Sequence, residues 1–187
     1  MKMTNEQIRI RDAEFMASEL ADFLVRAKRT CYAGNGNEQI LADGSKQLTF
    51  QQGNFHYTDN YAGYFQAPGV EIVRWQKPEG QRIWQMAYSG GMKHESDNLL
   101  LAQRVFKFLK RALEAVDVSA PFRDPECNTE DWDDLKPSFW DDSSKKELRY
   151  FARTEGDIRN FRGREFIDEG VWTVFEQDYI GGLVIPK

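Results

Sequence analysis

Two halves of the chain repeat the same local patterns in the same order, and this repeat limits the possible folds more than any other feature. In the clearest match, Trp84-x-x-x-Tyr88-x-Gly90-Gly91 recurs as Phe175-x-x-x-Tyr179-x-Gly181-Gly182. The other matched segments are 23–27 with 108–112, 48–50 with 148–150, 53–55 with 156–158, and 69–73 with 163–167. The spacing between partners changes only through insertions, so we predict a tandem duplication.

Apolar residues at helical spacing begin the first half. They recur every three or four residues between Ile8 and Ala27, which predicts a helix over 5–29 with Thr4 and Gln7 as a capping box. The glycines and asparagines of 33–37 end it. Four strands are then predicted from alternating or β-branched and aromatic segments at 48–50, 55–57, 69–75 and 82–88.

The second half follows the same plan. An apolar stripe predicts a helix over 99–116, with Ser96 or Asp97 as the N-cap. Four strand-like segments follow at 148–152, 157–161, 164–168 and 171–179.

These elements define the predicted fold class. It is α+β: an α-β-β-β-β unit used twice about a pseudo-two-fold axis, with antiparallel strands and the helices packed on one face. We expect one compact domain over 1–187, with copies at about 5–92 and 96–185 and an acidic connector inserted at 120–143. The seam between the copies is a natural place for a cleft.

The paired glycines at 90–91 and 181–182 allow two interpretations. Structurally, they let the chain turn sharply from the end of a strand, with the tyrosine packed beside the turn. Functionally, their bare backbone amides can meet an anionic group of a ligand.

Glu71 and Glu165 hold equivalent places in the two copies, each among strand residues. If they face the core, burial raises their pKa and a pair of glutamates can act as acid and base. The alternative is that each faces solvent or pairs with an arginine such as Arg74 or Arg164.

Composition excludes several classes. The chain has 187 residues, of which 41% are hydrophobic, so it is neither mainly disordered nor too short for a core. No apolar run is long enough to cross a membrane, and the first residues lack the apolar stretch of a secretory signal. Two cysteines, Cys31 and Cys127, make no disulfide framework, so a cytoplasmic location is expected.

The net charge of −5 argues mildly against nucleic acid as a partner. Residues 124–142 carry all of this acidity, because their eight carboxylates stand against Lys136 alone and the rest of the chain is slightly positive. The calcium-loop spacing is absent, and the interleaved Trp132, Phe139 and Trp140 leave two alternatives, a solvated loop or a docking segment.

Other polar residues carry less information. His56 and His94 lack nearby ligands, so no metal site is predicted, and no motif supports a dyad of either with Cys31. The basic residues of the helices are interpreted as parts of ordinary solvated faces; they include Arg26, Lys28, Arg29, Lys107, Lys110 and Arg111.

Distributed motifs over about residues 20–185 suggest a family. They are Tyr32-Ala33-Gly34-Asn35-Gly36, Asp43-Gly44-Ser45-Lys46-x-Leu48, Gly69-x-Glu71, Trp84-x-Met86-x-Tyr88-x-Gly90, Pro121-Phe122-Arg123, Glu155-Gly156-Asp157, Phe161-x-Gly163-x-Glu165 and Tyr179-x-Gly181-Gly182. The pattern resembles a bacterial domain of unknown function found alone or behind an XRE-type helix-turn-helix. The resemblance implies a cytosolic module and small-molecule sensing, but it assigns no reaction and no catalytic residue.

Three functional hypotheses follow. The favoured one is a ligand-binding or sensory module with a seam pocket lined by Trp84, Tyr88, Phe175 and Tyr179 and flanked by Glu71 and Glu165. The second is an enzyme that uses the two glutamates and a tyrosine as acid and base. The third is an interaction module that presents the acidic, tryptophan-bearing loop.

A small molecule is the expected partner and a homodimer is possible, while no membrane partner is expected. Neither cofactor nor reaction follows from the residues.

Overall fold

The computed structural model describes residues 5–32, 38–93, 98–123, 139–141 and 147–185, which form two helices and nine strands. In chain order these elements are α1 (Asn5–Tyr32), β1 (Gln39–Ile40), β2 (Lys46–Gln52), β3 (Phe55–Tyr61), β4 (Gly69–Trp75), β5 (Arg82–Met92), α2 (Leu99–Glu114), β6 (Phe139–Asp141), β7 (Leu148–Asp157), β8 (Asn160–Glu169) and β9 (Trp172–Leu183).

The nine strands form one antiparallel sheet in the order β1-β2-β3-β4-β5-β9-β8-β7-β6. Each helix therefore precedes a run of strands that pair with their neighbours in the chain, and the last strands of both runs, β5 and β9, pair at the centre. Tyr88 lies directly opposite Tyr179 in this central pair. A mixed α+β class dominated by antiparallel sheet is confirmed.

The matched segments do not all occupy equivalent strands. β4 and β8 each lie next to the central pair, so Glu71 and Glu165 hold corresponding positions. Strands are counted outwards from the central pair, with β5 and β9 as the first strand of each half. Leu48 then lies on the fourth strand of its half, β2, whereas Leu148 lies on the third strand of its half, β7. The predicted correspondence of 48–50 with 148–150 is wrong for this reason, and so is that of 53–55 with 156–158, because those turns join different strand pairs.

Both predicted helices are present with small differences at their ends. α1 continues to Tyr32 instead of ending at Arg29, while the predicted cap at Thr4 and the stop at 33–37 lie outside the described residues. α2 is capped by Asn98, whose side chain accepts a hydrogen bond from the Leu101 amide at 3.0 Å. The predicted caps Ser96 and Asp97 also lie outside the described residues.

One of the eight predicted strands is wrong. Segment 157–161 forms the hairpin turn, because Asp157 and Asn160 are the last residues that β7 and β8 pair. β1 was not predicted, and neither was β6, which comes from the far end of the acidic connector and pairs with β7. Residues 124–138 and 142–146, which include Trp132 and Cys127, lie outside the described residues.

The glycine pairs lie inside strands and not at turns, so the predicted turn is wrong at both. Gly90 and Gly91 belong to β5, and Gly181 and Gly182 belong to β9. A Cβ at Gly90 would lie 2.1 Å from the carbonyl oxygen of Glu176 on β9. Close backbone approach, not chain reversal, therefore requires glycine here.

Two groups of buried apolar side chains form the core. Side chains from α1 pack with those of β2 to β5, and side chains from α2 pack with those of β7 to β9. Large rings such as Trp84 and Tyr150 are fully buried, and each such side chain stabilises the fold by about 1.5–3 kcal/mol. Within the described residues, neither helix combines the length and the apolar character that crossing a membrane requires.

Candidate functional site

A cavity of about 260 Å³ is bounded by residues of α2, the end of α1 and the sheet. Its wall takes side chains from both halves of the chain, with Tyr32, Asp59 and Tyr88 from the first and Phe106 and Gln177 from the second. The cavity is thus a meeting point of the two predicted copies.

Asp59 is the acidic group of this wall. It follows Phe55 and Tyr57 at alternate positions on β3, which turns all three to the same side of the strand, and it is only 2% exposed. Tyr88 donates a hydrogen bond to its Oδ1 at 2.7 Å, and Tyr32 donates one to its Oδ2 at 3.0 Å. Two phenols therefore hold the carboxylate in one orientation.

The pKa of Asp59 is shifted towards neutrality. Burial and the nearby Glu71 carboxylate raise this pKa to about 6, against the opposing effects of the Tyr88 hydrogen bond, Arg123 and Lys28. A carboxyl group that titrates near neutral pH in a cavity wall can exchange a proton with a bound molecule.

Behind the wall, Glu71 is held by two cations. Lys28 of α1 donates to both carboxylate oxygens at 2.8 and 2.7 Å, and Nη2 of Arg123 lies 3.1 Å from Oε1. Lys28 and Glu71 are fully buried. Burial lowers the pKa of Lys28, but its contact with Glu71 favours the charged form.

Glu165 holds the matching place on β8 but has different partners. The Tyr150 hydroxyl lies 2.5 Å from the carbonyl oxygen of Arg123 and 2.6 Å from Oε2 of Glu165. The single proton of the Tyr150 hydroxyl is shared between these two acceptors. Nε of Arg123 lies 3.6 Å from Oε1 of Glu165, at ion-pair distance but too far for a hydrogen bond.

Burial raises the pKa of Glu165, against the opposing effects of the Arg123 charge and the Tyr150 hydrogen bond. Its other oxygen accepts a hydrogen bond from Nε2 of Gln177 at 2.8 Å. The two glutamates therefore hold corresponding places with different partners: Glu71 lies between two cations, and Glu165 accepts hydrogen bonds from Tyr150 and Gln177.

The opposite side of the cavity is aromatic. Phe106 of α2 contacts Tyr64 and Phe175 edge to face, with ring centroids 5.3 and 6.1 Å apart. At the more exposed part of the wall, Nζ of Lys46 lies 3.1 Å from Oε1 of Glu38, which also accepts a hydrogen bond from Tyr61. The cavity thus joins one buried carboxylate to an apolar, aromatic surface.

The predicted site residues fall into three groups. Tyr88 and Phe175 line the cavity, and Glu71 and Glu165 lie behind its wall. Trp84 is buried in the core, where its Nε1 donates to the carbonyl oxygen of Ile158 at 3.2 Å. The Tyr179 hydroxyl lies 2.6 Å from that of Thr154 and takes no part in the cavity. The structure thus brings together four of the six predicted residues.

The alternative interpretations of the two glutamates are also resolved. Neither faces solvent, since both are fully buried. Arg123, not Arg74 or Arg164, is the arginine near them. Arg164 instead pairs with Asp178 at 2.7 Å on the exposed side of the sheet.

Sequence reasoning missed several residues of the site, among them Lys28, Asp59 and Arg123. Lys28 was assigned to a solvated face, which is wrong because it is fully buried. Its position four residues after Leu24, on the apolar stripe of α1, is the signal that places it inside. Asp59 continues the alternation of Phe55 and Tyr57, and Arg123 stands only in the family-like motif Pro121-Phe122-Arg123.

No metal or thiol chemistry is visible in the part of the chain that the structure describes. No group of three or more His, Cys, Asp or Glu is placed there to hold a metal ion. Cys31 is buried, and burial raises the pKa of its thiol to about 12, so it is a poor nucleophile in the folded state.

These features define an α+β protein with a small, partly aromatic cavity backed by buried charged side chains. The chain belongs to the family described as a domain of unknown function, DUF5680, whose model matches residues 59–184, about two thirds of its length. Asp59, Tyr88 and Arg123 lie in the matched part, whereas Lys28 and Tyr32 of α1 precede it. No curated protein and no solved structure matches the chain.

Proposed function

We propose that this protein binds a small organic molecule in the cavity beside Asp59. The observation that carries the proposal is a buried carboxylate on the cavity wall, fixed by the hydroxyls of Tyr32 and Tyr88. Polar groups that are oriented in advance and surrounded by aromatic surface are the usual composition of small-molecule sites.

The layer behind the wall supports the same proposal. Lys28, Glu71 and Arg123 form a buried ionic group, and the guanidinium of Arg123 lies 4.8 Å from the centre of the Tyr88 ring. Such a group contributes less to stability than apolar side chains of the same volume, because removing charges from water is unfavourable. Its presence against a cavity is explained if it positions Tyr88 and Asp59 for a ligand.

A sensory role is the version of this proposal that we favour. It is supported by the resemblance to bacterial domains that are found behind a helix-turn-helix, and by a cavity that takes its wall from both halves of the chain. We further infer that the halves arose by tandem duplication with both helices on one face of the sheet. The corresponding places of Glu71 and Glu165 and the pairing of Tyr88 with Tyr179 support this inference.

Acid–base catalysis is the second candidate function. Asp59 favours it, because a carboxyl with a pKa of about 6 on a cavity wall suits proton transfer near neutral pH. A ligand that the protein slowly converts, followed by NMR, would distinguish this candidate from simple binding.

The test is a thermal-shift screen of the protein against a metabolite library, repeated with two matched variants. A ligand at 100 times its Kd stabilises the protein by about 2.7 kcal/mol, or roughly 5–10 °C in Tm. Tyr88→Phe removes a hydroxyl bound to Asp59, whereas Tyr179→Phe removes the opposite hydroxyl, outside the cavity.

We expect hits whose Tm shift is reduced strongly by Tyr88→Phe and little by Tyr179→Phe. Hits that both variants leave unchanged would place binding elsewhere on the protein. A screen without hits would contradict the proposed function and shift attention to the acidic connector.

A further inference from the structure

We propose that the ligand of the Asp59 cavity carries an organic ammonium group, held by the Asp59 carboxylate, and an apolar body that lies against Tyr64, Phe106 and Phe175. This inference rests on the proposed function and names the chemical class of the ligand.

The first step is the distribution of charge around the wall. Two cations, Lys28 and Arg123, contact Glu71. Within the described residues, no lysine or arginine nitrogen lies within 4.0 Å of the Asp59 carboxylate. Asp59, on the cavity side, thus has no cation in contact, whereas Glu71, behind the wall, has two.

The second step is the hydrogen-bonding capacity of Asp59. Each of its oxygens accepts one phenol, but a carboxylate oxygen has two lone pairs. Lys28 and Arg123 act on Asp59 only from beyond contact distance, whereas an ammonium group in the cavity would supply both a positive charge in contact and N–H donors. Arg123 does not serve this role, because its Nη2 is bound to Glu71 and its guanidinium lies over the Tyr88 ring.

The third step is the rest of the wall. The rings of Tyr64, Phe106 and Phe175 form one continuous edge-to-face series. Aromatic faces attract cations and also bury apolar groups, so they suit an arylalkyl or alkyl ammonium compound. The volume of about 260 Å³ limits the ligand to a small molecule of this kind.

Three phenyl compounds of similar size and different charge test the inference: 2-phenylethylammonium, 2-phenylethanol and phenylacetate. Their Kd values are measured by NMR titration at about pH 8, where both Asp59 and the ammonium group are charged. Wild-type protein is compared with Asp59→Asn and with Asp178→Asn, which removes an exposed carboxylate outside the cavity.

We expect the ammonium probe to bind at least about tenfold more tightly than the alcohol, in line with a hydrogen-bonded charge pair. Asp59→Asn should remove this preference and Asp178→Asn should retain it. Affinity for the ammonium probe should fall as the pH drops below about 6, since Asp59 then takes up a proton. The groups that face Asp59 and influence this titration are Tyr32, Lys28, Glu71, Tyr88 and Arg123.

Phenylacetate binding as tightly as the ammonium probe would overturn the inference and indicate an anion site at Arg123. Equal affinity of the ammonium probe for wild type and Asp59→Asn would overturn it as well. If none of the probes binds but neutral or acidic library compounds give Tyr88-dependent hits, the inference fails and the proposed function stands. If neither probes nor library compounds bind, both fail.

Discussion

Glu71 on β4 and Glu165 on β8 occupy matching positions beside the central strand pair, and the guanidinium of Arg123 contacts the first at 3.1 Å and approaches the second at 3.6 Å. Both side chains are fully buried. Their partners nevertheless differ, because Glu71 accepts hydrogen bonds from Lys28 while Glu165 accepts them from Tyr150 and Gln177.

Replacing each glutamate by glutamine tests this difference in partners. Glu71→Gln leaves the charge of Lys28 without its partner, so we expect a loss of about 3–5 kcal/mol in the free energy of unfolding. Glu165→Gln keeps one acceptor oxygen for the two donors Tyr150 and Gln177 and leaves no lysine unpaired, so we expect a smaller loss of about 1–3 kcal/mol. Urea unfolding of both variants measures the difference, and equal losses would contradict it.

The pH dependence of stability tests the environment of Asp59. Between about pH 4 and about pH 6 the folded protein keeps a proton on Asp59 that the unfolded chain has lost. The free energy of unfolding should therefore fall as pH rises through this window, by roughly 3 kcal/mol, and Asp59→Asn should lack this part of the decrease. Parallel urea titrations of wild type and variant measure it, and a constant difference between the two across the window would contradict the shifted pKa.

Gly69 and Tyr88 form a close cross-strand contact that leaves no room for a side chain. A Cβ at Gly69 would lie 2.3 Å from the Tyr88 hydroxyl oxygen, as one at Gly163 would lie 2.4 Å from that of Tyr179. We expect Gly69→Ala to lower the free energy of unfolding by about 1–3 kcal/mol, and by less in a Tyr88→Ala background. Additive losses in this double-mutant cycle would show that the ring does not cause the strain.

Cys31 provides a chemical test of burial. Its thiol is 5% exposed, and its pKa is raised to about 12 by burial and by the charges of Asp59 and Glu71. In a Cys127→Ser background, a thiol reagent at about pH 8 should label one cysteine slowly in native protein and rapidly in denaturant. Rapid labelling without denaturant would mean that the end of α1 opens readily.

The secondary structure followed largely from local patterns. Alternating or β-branched residues identified seven of the nine strands, and the apolar stripes identified both helices. The two missed strands are short: Gln39–Ile40 and Phe139–Asp141 contain no stretch long enough to show a period. Segment 157–161 contains Ile158 and Phe161, which suggested a strand, but its Asp157-x-x-Asn160 sequence closes a hairpin.

The functional site was harder to predict because it depends on long-range contacts. Glu71 and Glu165 were found through the internal repeat. No local pattern shows that Lys28 pairs with Glu71, because the two residues are 43 positions apart in the chain. Asp59 and Lys28 were overlooked because single charged residues usually face solvent. Each nevertheless lies at a position where the repeat of its helix or strand faces the core, and this position, not the charge, decides its burial.

A crystallographic fragment screen tests the proposed binding function most directly. Crystals are soaked with a library that contains ammonium, neutral and acidic compounds of equal size. We expect bound fragments in the cavity between α2 and the sheet, with a nitrogen at hydrogen-bond distance from the Asp59 carboxylate and a ring against Phe106. An empty cavity in crystals where the same fragments occupy other surfaces would contradict the claim that this cavity is the binding site.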